Sequence, residues 1–546
     1  MVDERRGSEP PQPKGWSWRD RARGSVISAV ALDPGTEPLD GIEAFQTVYV
    51  PHRLLVSLSP DDKELEREDG PYSRVRGAAR SFGWGVVPEL LDGSDLEQGR
   101  LPEPRLPGAP RVIRVRLTTP DEKVRGISPA LPDAWRVLQQ VRRDALQGEV
   151  VRGSDGELDV AATLRAAGVD RVGLDHVLTV DPIGINPFTK TNPFTKTNPF
   201  TKTNPVGEYA EDGSGGRQPV AWVGAAPLRT PVPDGHRRAV VAVLDTGAGA
   251  HDWLPDDIVD RHVTVDGRPV GLDDEANPEV YPDLYGPLDG QLDEVSGHGT
   301  FIAGIVRQAA PDADILAVRV ADAQGLVEES NLLAVIEDLG VLVSRYQHGE
   351  EGGRPIDVLS LSLGYYHETP EDGLYTRDLY DLLTALRDLG TTVVVSAGND
   401  AIDRPTFPAS LWAWPGADNG ILPDGGAPHI SVGALNPDRR TTALFSNVGP
   451  WVRTYAVGAA VVSTLPDFYG GLQASARDDV YERERLTIGP EDFRGGFAVW
   501  SGTSFAAPLV AGRVASALTP TAAPTAPDKS IPTVHGIVEK VLATEG

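Results

Sequence analysis

A doubly wound α/β domain with a mostly parallel sheet, preceded by a smaller α+β domain, is the fold class this sequence predicts. Three observations carry it. Ala239-Val-Val-Ala-Val-Leu244 is an unbroken apolar run of the kind that forms a strand buried on both faces of a parallel sheet. Similar short runs recur at Ile315–Val320, Val358–Leu363, Thr392–Ser396 and His429–Val432, with helical patterns between them at Thr300–Gln308, Asn331–Tyr346 and Tyr375–Leu389. A chain of 546 residues is also too long for one core, so a second domain is expected.

Ahead of the alternation, residues 1–42 are rich in Pro, Gly and charge and read as a mobile tail. Val26–Leu32 within them is too short and too late for an export signal and is expected to be a strand. Residues 43–185 mix strands (Gln46–Leu58, Arg111–Leu117, Arg171–Val180) with helices (Ala134–Gln147, Val160–Ala167), the pattern of a small α+β domain. A linker at 186–237 follows, opening on three tandem copies of Asn-Pro-Phe-Thr-Lys-Thr at 186–203. Proline disfavours helix in the residue before it, so this stretch reads as extended spacer. Each copy also offers a Phe and a Lys suited to docking or processing. The α/β domain is placed at 238–518, and 519–546 is a Thr/Pro/Ala-rich tail ending in a short helix, Val534–Leu542.

A net charge of −28 and a pI of about 4.7 argue against nucleic acid or an anionic membrane as partner. The chain has no cysteine, which excludes disulfides, thiolate catalysis and Cys-bound metal. No run approaches the roughly 18 apolar residues of a membrane span. The expectation is a cytoplasmic protein, with export by an unrecognised route as the alternative.

Ser504 sits in Trp500-Ser-Gly-Thr-Ser-Phe-Ala-Ala-Pro508, among small residues at the mouth of a helix expected over Phe505–Leu518. Unpaired N–H groups of a first helical turn can receive a developing oxyanion, although serine is equally common there as a cap. Pro508 is expected in the first turn, where its missing N–H costs little. Asp245 leaves the buried 239–244 strand, where functional groups of α/β sheets gather, but an acid before glycine is also an ordinary turn former. His298 opens a helix between two glycines, which suits close approach of another segment. Asn399 follows another strand in Val394-Val-Ser-Ala-Gly-Asn399, as an oxyanion donor or a plain Asx turn.

Together these segments resemble the subtilisin-like serine proteases (subtilases). The matching motifs are Asp245-Thr-Gly247, Gly297-His-Gly-Thr300, Ser396-Ala-Gly-Asn399 and Gly502-Thr-Ser-Phe-Ala-Ala-Pro508, in family order over roughly 238–518. The resemblance implies an endopeptidase acting on protein or peptide substrates through an acyl-enzyme, with Ser504 as nucleophile, His298 as base, Asp245 as its orienting partner and Asn399 as oxyanion donor. It implies that Ser362-Leu363-Gly364 and Ala397-Gly398 wall the substrate pocket, with Tyr365 departing from the usual glycine and narrowing it or shifting its preference. No cofactor is expected. Asp252 corresponds to a family calcium ligand in different surroundings, so calcium stays open, and the acidic stretches 256–260 and 272–275 read as solvated loops. The glutamate base of the related sedolisins is excluded by His298. Spacings longer than a minimal member needs point to insertions near 262–292, 411–427 and 466–496, which could cover the cleft or recruit partners. By the family plan, residues 43–185 are expected to act as a propeptide-like inhibitor in cis, with cleavage in 186–237, or else as a permanent recruitment domain. The alternative function is a catalytically silent subtilase fold used for binding.

Overall fold

A computed structural model describes residues 12–544 apart from 18–19, 21–26, 59–64, 66, 97–100, 102–104, 120–130, 149, 155, 181–215, 222, 287–289, 370–376, 417–420, 473 and 520–530. The three Asn-Pro-Phe-Thr-Lys-Thr repeats lie outside the described residues.

Two sheets organise the chain. The N-terminal strands are β1 (Val48–Leu58), β2 (Gly85–Glu89), β3 (Arg111–Thr118) and β4 (Val172–Val180), with helices α1 (Pro71–Ser81), α2 (Ala134–Leu146) and α3 (Val160–Ala166) between them. Their own core gathers Leu54, Val56, Val75, Trp84, Val115, Trp135 and Leu138. The second group is β5 (Val240–Asp245), β6 (Val259–Asp260), α4 (His298–Ala309), β7 (Asp314–Arg319), β8 (Leu326–Glu328), α5 (Glu329–His348), β9 (Val358–Leu361), β10 (Leu363–Gly364), α6 (Asp378–Asp388), β11 (Thr392–Ser396), β12 (His429–Leu435), β13 (Thr454–Val457), α7 (Thr503–Leu518) and α8 (Ile531–Leu542).

The seven-stranded sheet runs β13-β12-β11-β9-β5-β7-β6, parallel at every pairing. β5 explains its layering. Val241 and Val243 point into a core with Phe301 of α4 and Phe505 and Val510 of α7. Val240, Ala242 and Leu244 point the other way, towards Leu332 and Ile336 of α5 and Leu382 and Leu386 of α6. With both faces covered, neither face of the strand can carry polar residues, hence the continuous apolar run.

The antiparallel sheet, β8-β4-β1-β3-β2, is shared between the halves. β4 pairs with β1 through its first residues, and Leu178 pairs with Val327 of β8. Thr179 is flanked on both sides, by Leu326 and by Gly364 of β10, and Val180 pairs with Leu363.

The structure departs from sequence expectation at several places. The stretch read as mobile up to 42 is packed from Val30 on: Val30–Ala31 pairs with β1, Leu32 and Ile42 are buried, and Glu37 pairs with Arg136 and Arg143. The strand expected over Val26–Leu32 is limited to those two paired residues among the described ones. Val358–Leu363 is two strands, because the chain leaves the parallel sheet at Ser362 to meet β4. Helix α7 starts at Thr503, so Ser504 is its second residue and Pro508 lies in its second turn. Pro508 therefore removes a helical bond, the one its N–H would have given to the Ser504 carbonyl four residues back. Of the stretches read as solvated loops, Asp256, Asp257 and Asp273 to Glu275 are exposed as expected, but Asp260 pairs with Arg354, and Arg319 grips the carbonyls of Leu272 (3.2 Å), Asp274 (2.9 Å) and Ala276 (2.8 Å). Among the described residues no helix is long and apolar enough to cross a membrane.

Candidate active site

Asp245 is the last residue of β5 and His298 the first of α4. Gly297, at φ +84°, turns the chain into that helix through a conformation side chains disfavour, and a Cβ there would strike Leu465 at 2.5 Å. A Cβ on Gly299 would lie 2.0 Å from the Gly247 carbonyl oxygen. The two glycines around His298 therefore let its helix press onto the turn after Asp245. The result is a 2.7 Å hydrogen bond from His298 Nδ1 to Asp245 Oδ1, both residues fully buried. The same Oδ1 accepts from the Thr246 amide at 2.8 Å. A carboxylate can only accept, so this bond fixes the proton on Nδ1 and leaves Nε2 as an acceptor, and Nε2 is buried without a hydrogen-bond partner. The imidazole packs edge-on to Trp500 and tilted to Phe505, both at 5.3 Å between ring centres.

Ser504 is also fully buried. Its carbonyl, deprived of the Pro508 N–H, accepts from Ser362 Oγ at 3.0 Å. The pairing that the proline removes from the helix is thus restored from the neighbouring strand, and it joins the serine's turn to Ser362-Leu363-Gly364. Asn399 belongs to the same knot. Its Oδ1 accepts from Thr503 N (2.8 Å) and Thr503 Oγ1 (2.9 Å), and Nδ2 lies 3.6 Å from where a Cβ on Gly502 would stand. Gly398 N donates to Thr503 Oγ1 at 3.1 Å, and Thr406 Oγ1 and Asn447 Nδ2 each hold the Ala397 carbonyl at 3.0 Å. Leu363 and Gly364 face β4, as described. Asp252 is exposed.

Tyr365 does not face the Ser504 side of this strand. It is buried, stacks on His176 of β4 (4.5 Å between centres, 27° between planes) and donates to Glu329 Oε1 at 3.2 Å. It meets the N-terminal strand instead of narrowing a pocket beside Ser504.

Two buried residues escaped the sequence reading. His176 Nδ1 donates to Glu329 Oε2 (2.7 Å) and Nε2 to Glu368 Oε2 (2.8 Å). Two carboxylate partners make it an imidazolium. Burial alone would push it down, but Glu329 and Glu368 lift it to about 10. Burial likewise favours the protonated form of Glu368, yet His367, His176 and Arg142 hold it well below the usual carboxylate range. His367 itself is driven down to about 3 by burial. Beside this cluster, Arg53 and Arg114 both pair with Glu328, and Asp175 accepts from the Ser330 amide (3.0 Å) at the start of α5. The polar pair Asp175-His176 inside an apolar strand was the available signal. The second residue, Glu279, gave none; it is a buried carboxylate between Thr246 and Thr300.

The subtilase family model matches residues 236–533, somewhat more than half of the chain. Among similar curated proteins are an intracellular serine protease of Paenibacillus polymyxa (28% identical, covering 51% of this chain and 66% of that one) and the serine protease AprX of Bacillus subtilis strain 168 (31%, covering 50% and 55%). The chain thus matches between about half and two thirds of the length of these relatives. A solved structure of a cold adapted subtilisin-like serine proteinase is 21% identical, covers 55% of this chain and 85% of that one, and has a TM-score of 0.32. By its family match, and with the aspartate, histidine and serine motifs inside the matched region, the chain belongs to the subtilase family.

Proposed function

We propose that the chain is a serine endopeptidase whose N-terminal region occupies its own substrate path. The observation that carries the first half is the 2.7 Å Asp245–His298 bond, with Nε2 left as an acceptor on an imidazole packed against Phe505 at the start of α7. In this reading Ser504 Oγ attacks a peptide carbonyl while its proton passes to His298 Nε2. The C–N bond then breaks, the proton goes to the leaving amine, and water releases the acyl group by the same steps reversed. Asp245 holds the tautomer and balances the imidazolium. Asn399 Nδ2 and the backbone at the head of α7 receive the oxyanion, one such donor being worth about 3 kcal/mol.

The second half rests on β4. Its end lies between β8 and β10, the two strands an extended peptide would pair with, and His176, Arg53 and Arg114 anchor it by ion pairs to Glu329, Glu368 and Glu328. Residues 43–185 thereby hold the cleft in cis, and cleavage in 186–237 would leave that region bound but no longer tethered.

Intact mass of purified wild type beside Ser504→Ala, followed over time, tests both halves. Loss of an N-terminal piece by wild type alone is expected. A wild type that stays whole, and does not take up a fluorophosphonate on Ser504 even after the N-terminal region is displaced by mild denaturant, would sink the proposal.

A further inference from the structure

We propose that Glu279 is a positioning residue for the Asp245–His298 pair, its carboxylate fastening the turn after Asp245 to the first turn of the helix that begins with His298. The inference rests on the protease reading of the site.

The contacts account for every lone pair in play. Glu279 Oε1 lies 2.5 Å from Thr246 Oγ1 and 2.9 Å from Gly299 N, and Oε2 lies 2.5 Å from Thr300 Oγ1 and 3.3 Å from Thr300 N. Thr300 Oγ1 already accepts from Gly249 N at 2.6 Å, so its proton is available for Glu279. Thr246 Oγ1 accepts from Gly299 N at 2.8 Å and has one proton to give. Asp245 Oδ1 is 3.1 Å from it and Glu279 Oε1 is closer, so Glu279 takes that proton. Four donors, Thr246 Oγ1 from the Asp245 side and Gly299 N, Thr300 N and Thr300 Oγ1 from the His298 side, thus converge on one carboxylate.

Position and charge agree with that role. Glu279 sits at the end of the loop whose carbonyls Arg319 grips from the tip of β7, so it is delivered by the sheet itself. Its own carbonyl lies where a Cβ on Gly249 would reach it at 2.6 Å, which keeps the loop against the Asp245 turn. The charged groups around it are Asp245, Arg261 and Arg217. Burial and the charge of Asp245 push its carboxyl up, opposed by the donors from Thr246, Thr300 and Gly299.

The test uses the full chain with ¹⁵N-labelled histidine, comparing wild type, Glu279→Gln and Glu279→Ala. The wild-type His298 Nδ1–H is expected far downfield and slow to exchange with water. Glu279→Gln should shift it towards ordinary values, and Glu279→Ala should broaden it away, with circular dichroism unchanged. On the released enzyme kcat should fall up to about 100-fold with KM unchanged, since a small misplacement of reacting groups costs that much. An unaltered Nδ1–H signal in both variants would overturn the proposal. If Glu279→Ala does not fold, Glu279→Gln decides alone, because it keeps size and one acceptor oxygen and turns the other into a donor that must face donors. The resonance does not depend on turnover: a wild type showing it but never labelled on Ser504 would overturn the protease reading and leave the positioning role standing.

Discussion

The two sheets are held by different physics. The parallel sheet is a stack whose strands and covering helices bury mainly Val, Leu, Ile, Ala and Phe, with Leu55, Leu106 and Val112 of the N-terminal half joining one of its cores; Asp245 stands at a strand end and Asn399 just past another. The antiparallel sheet crosses from one half of the chain to the other, and at the crossing its side chains are Arg53, Arg114, Asp175 and His176 against Glu328, Glu329 and Glu368. Apolar packing has no preferred alternative state in water. A buried ion pair has one, because each partner is well solvated apart, so its net contribution is small while loss of a single partner is severe. The crossing is therefore held by charge pairs, and its integrity hangs on single residues.

Breaking the second sheet without touching the first should give the largest effect. His176→Ala takes the imidazolium from Glu329 and leaves Glu368 with Arg142 alone, a cost of roughly 3–5 kcal/mol. The protection factors of the 177–180 amides against hydrogen exchange should fall a hundredfold or more, with the amides of β5 unchanged. The same contrast appears with pH in the wild type. The docked His176, faced by Glu329, Glu368, His367, Tyr365 and Arg142, titrates at about 10 against 6.5 when free. Its contribution is therefore complete below about 6.5 and is lost as pH climbs to about 10, so protection of β4 should drop up to tenfold per pH unit across that window. His176→Gln should flatten the slope. A slope that survives would assign the effect to another group.

Asn399→Ala should act in the opposite place. Ser504 acylation in the released enzyme slows by about 100-fold or more, while β4 protection stays as it was. Asn399→Asp keeps the acceptor for Thr503 and loses the donor. Recovery of rate in that variant would make the residue a brace for Thr503 only. Ser362→Ala is the mildest test, leaving the Ser504 carbonyl short of a donor at about 1–3 kcal/mol. The thermal midpoint should drop by a few degrees, with α7 the first helix to lose exchange protection.

What the sequence made legible follows the same division. β5, β7, β11 and the helices between them stood out because strands buried on both faces must be apolar throughout, and Asp245 and His298 because glycines mark the close approach that brings them together. α1 went unread: its buried Tyr72, Val75, Ala78 and Ala79 have helical spacing, but Gly77 and five arginines and serines hide it. His176 and Glu279 were opaque for another reason. The partners of His176 stand 153 and 192 residues away, and those of Glu279 come from both sides of the Asp245–His298 contact. Nothing local in the chain records that these polar groups will be buried, nor beside which charges.

Pro508 has a consequence for inheritance. By withholding one N–H it makes the Ser504 carbonyl depend on a hydroxyl 142 residues earlier, so the serine motif is not a portable cassette. A descendant that kept Gly502–Pro508 but lost Ser362 would deny the Ser504 carbonyl that hydroxyl; one that replaced Pro508 would free Ser362 to drift. The two positions are coupled, so the strand at Ser362 and the turn that bears Ser504 constrain one another across 142 residues.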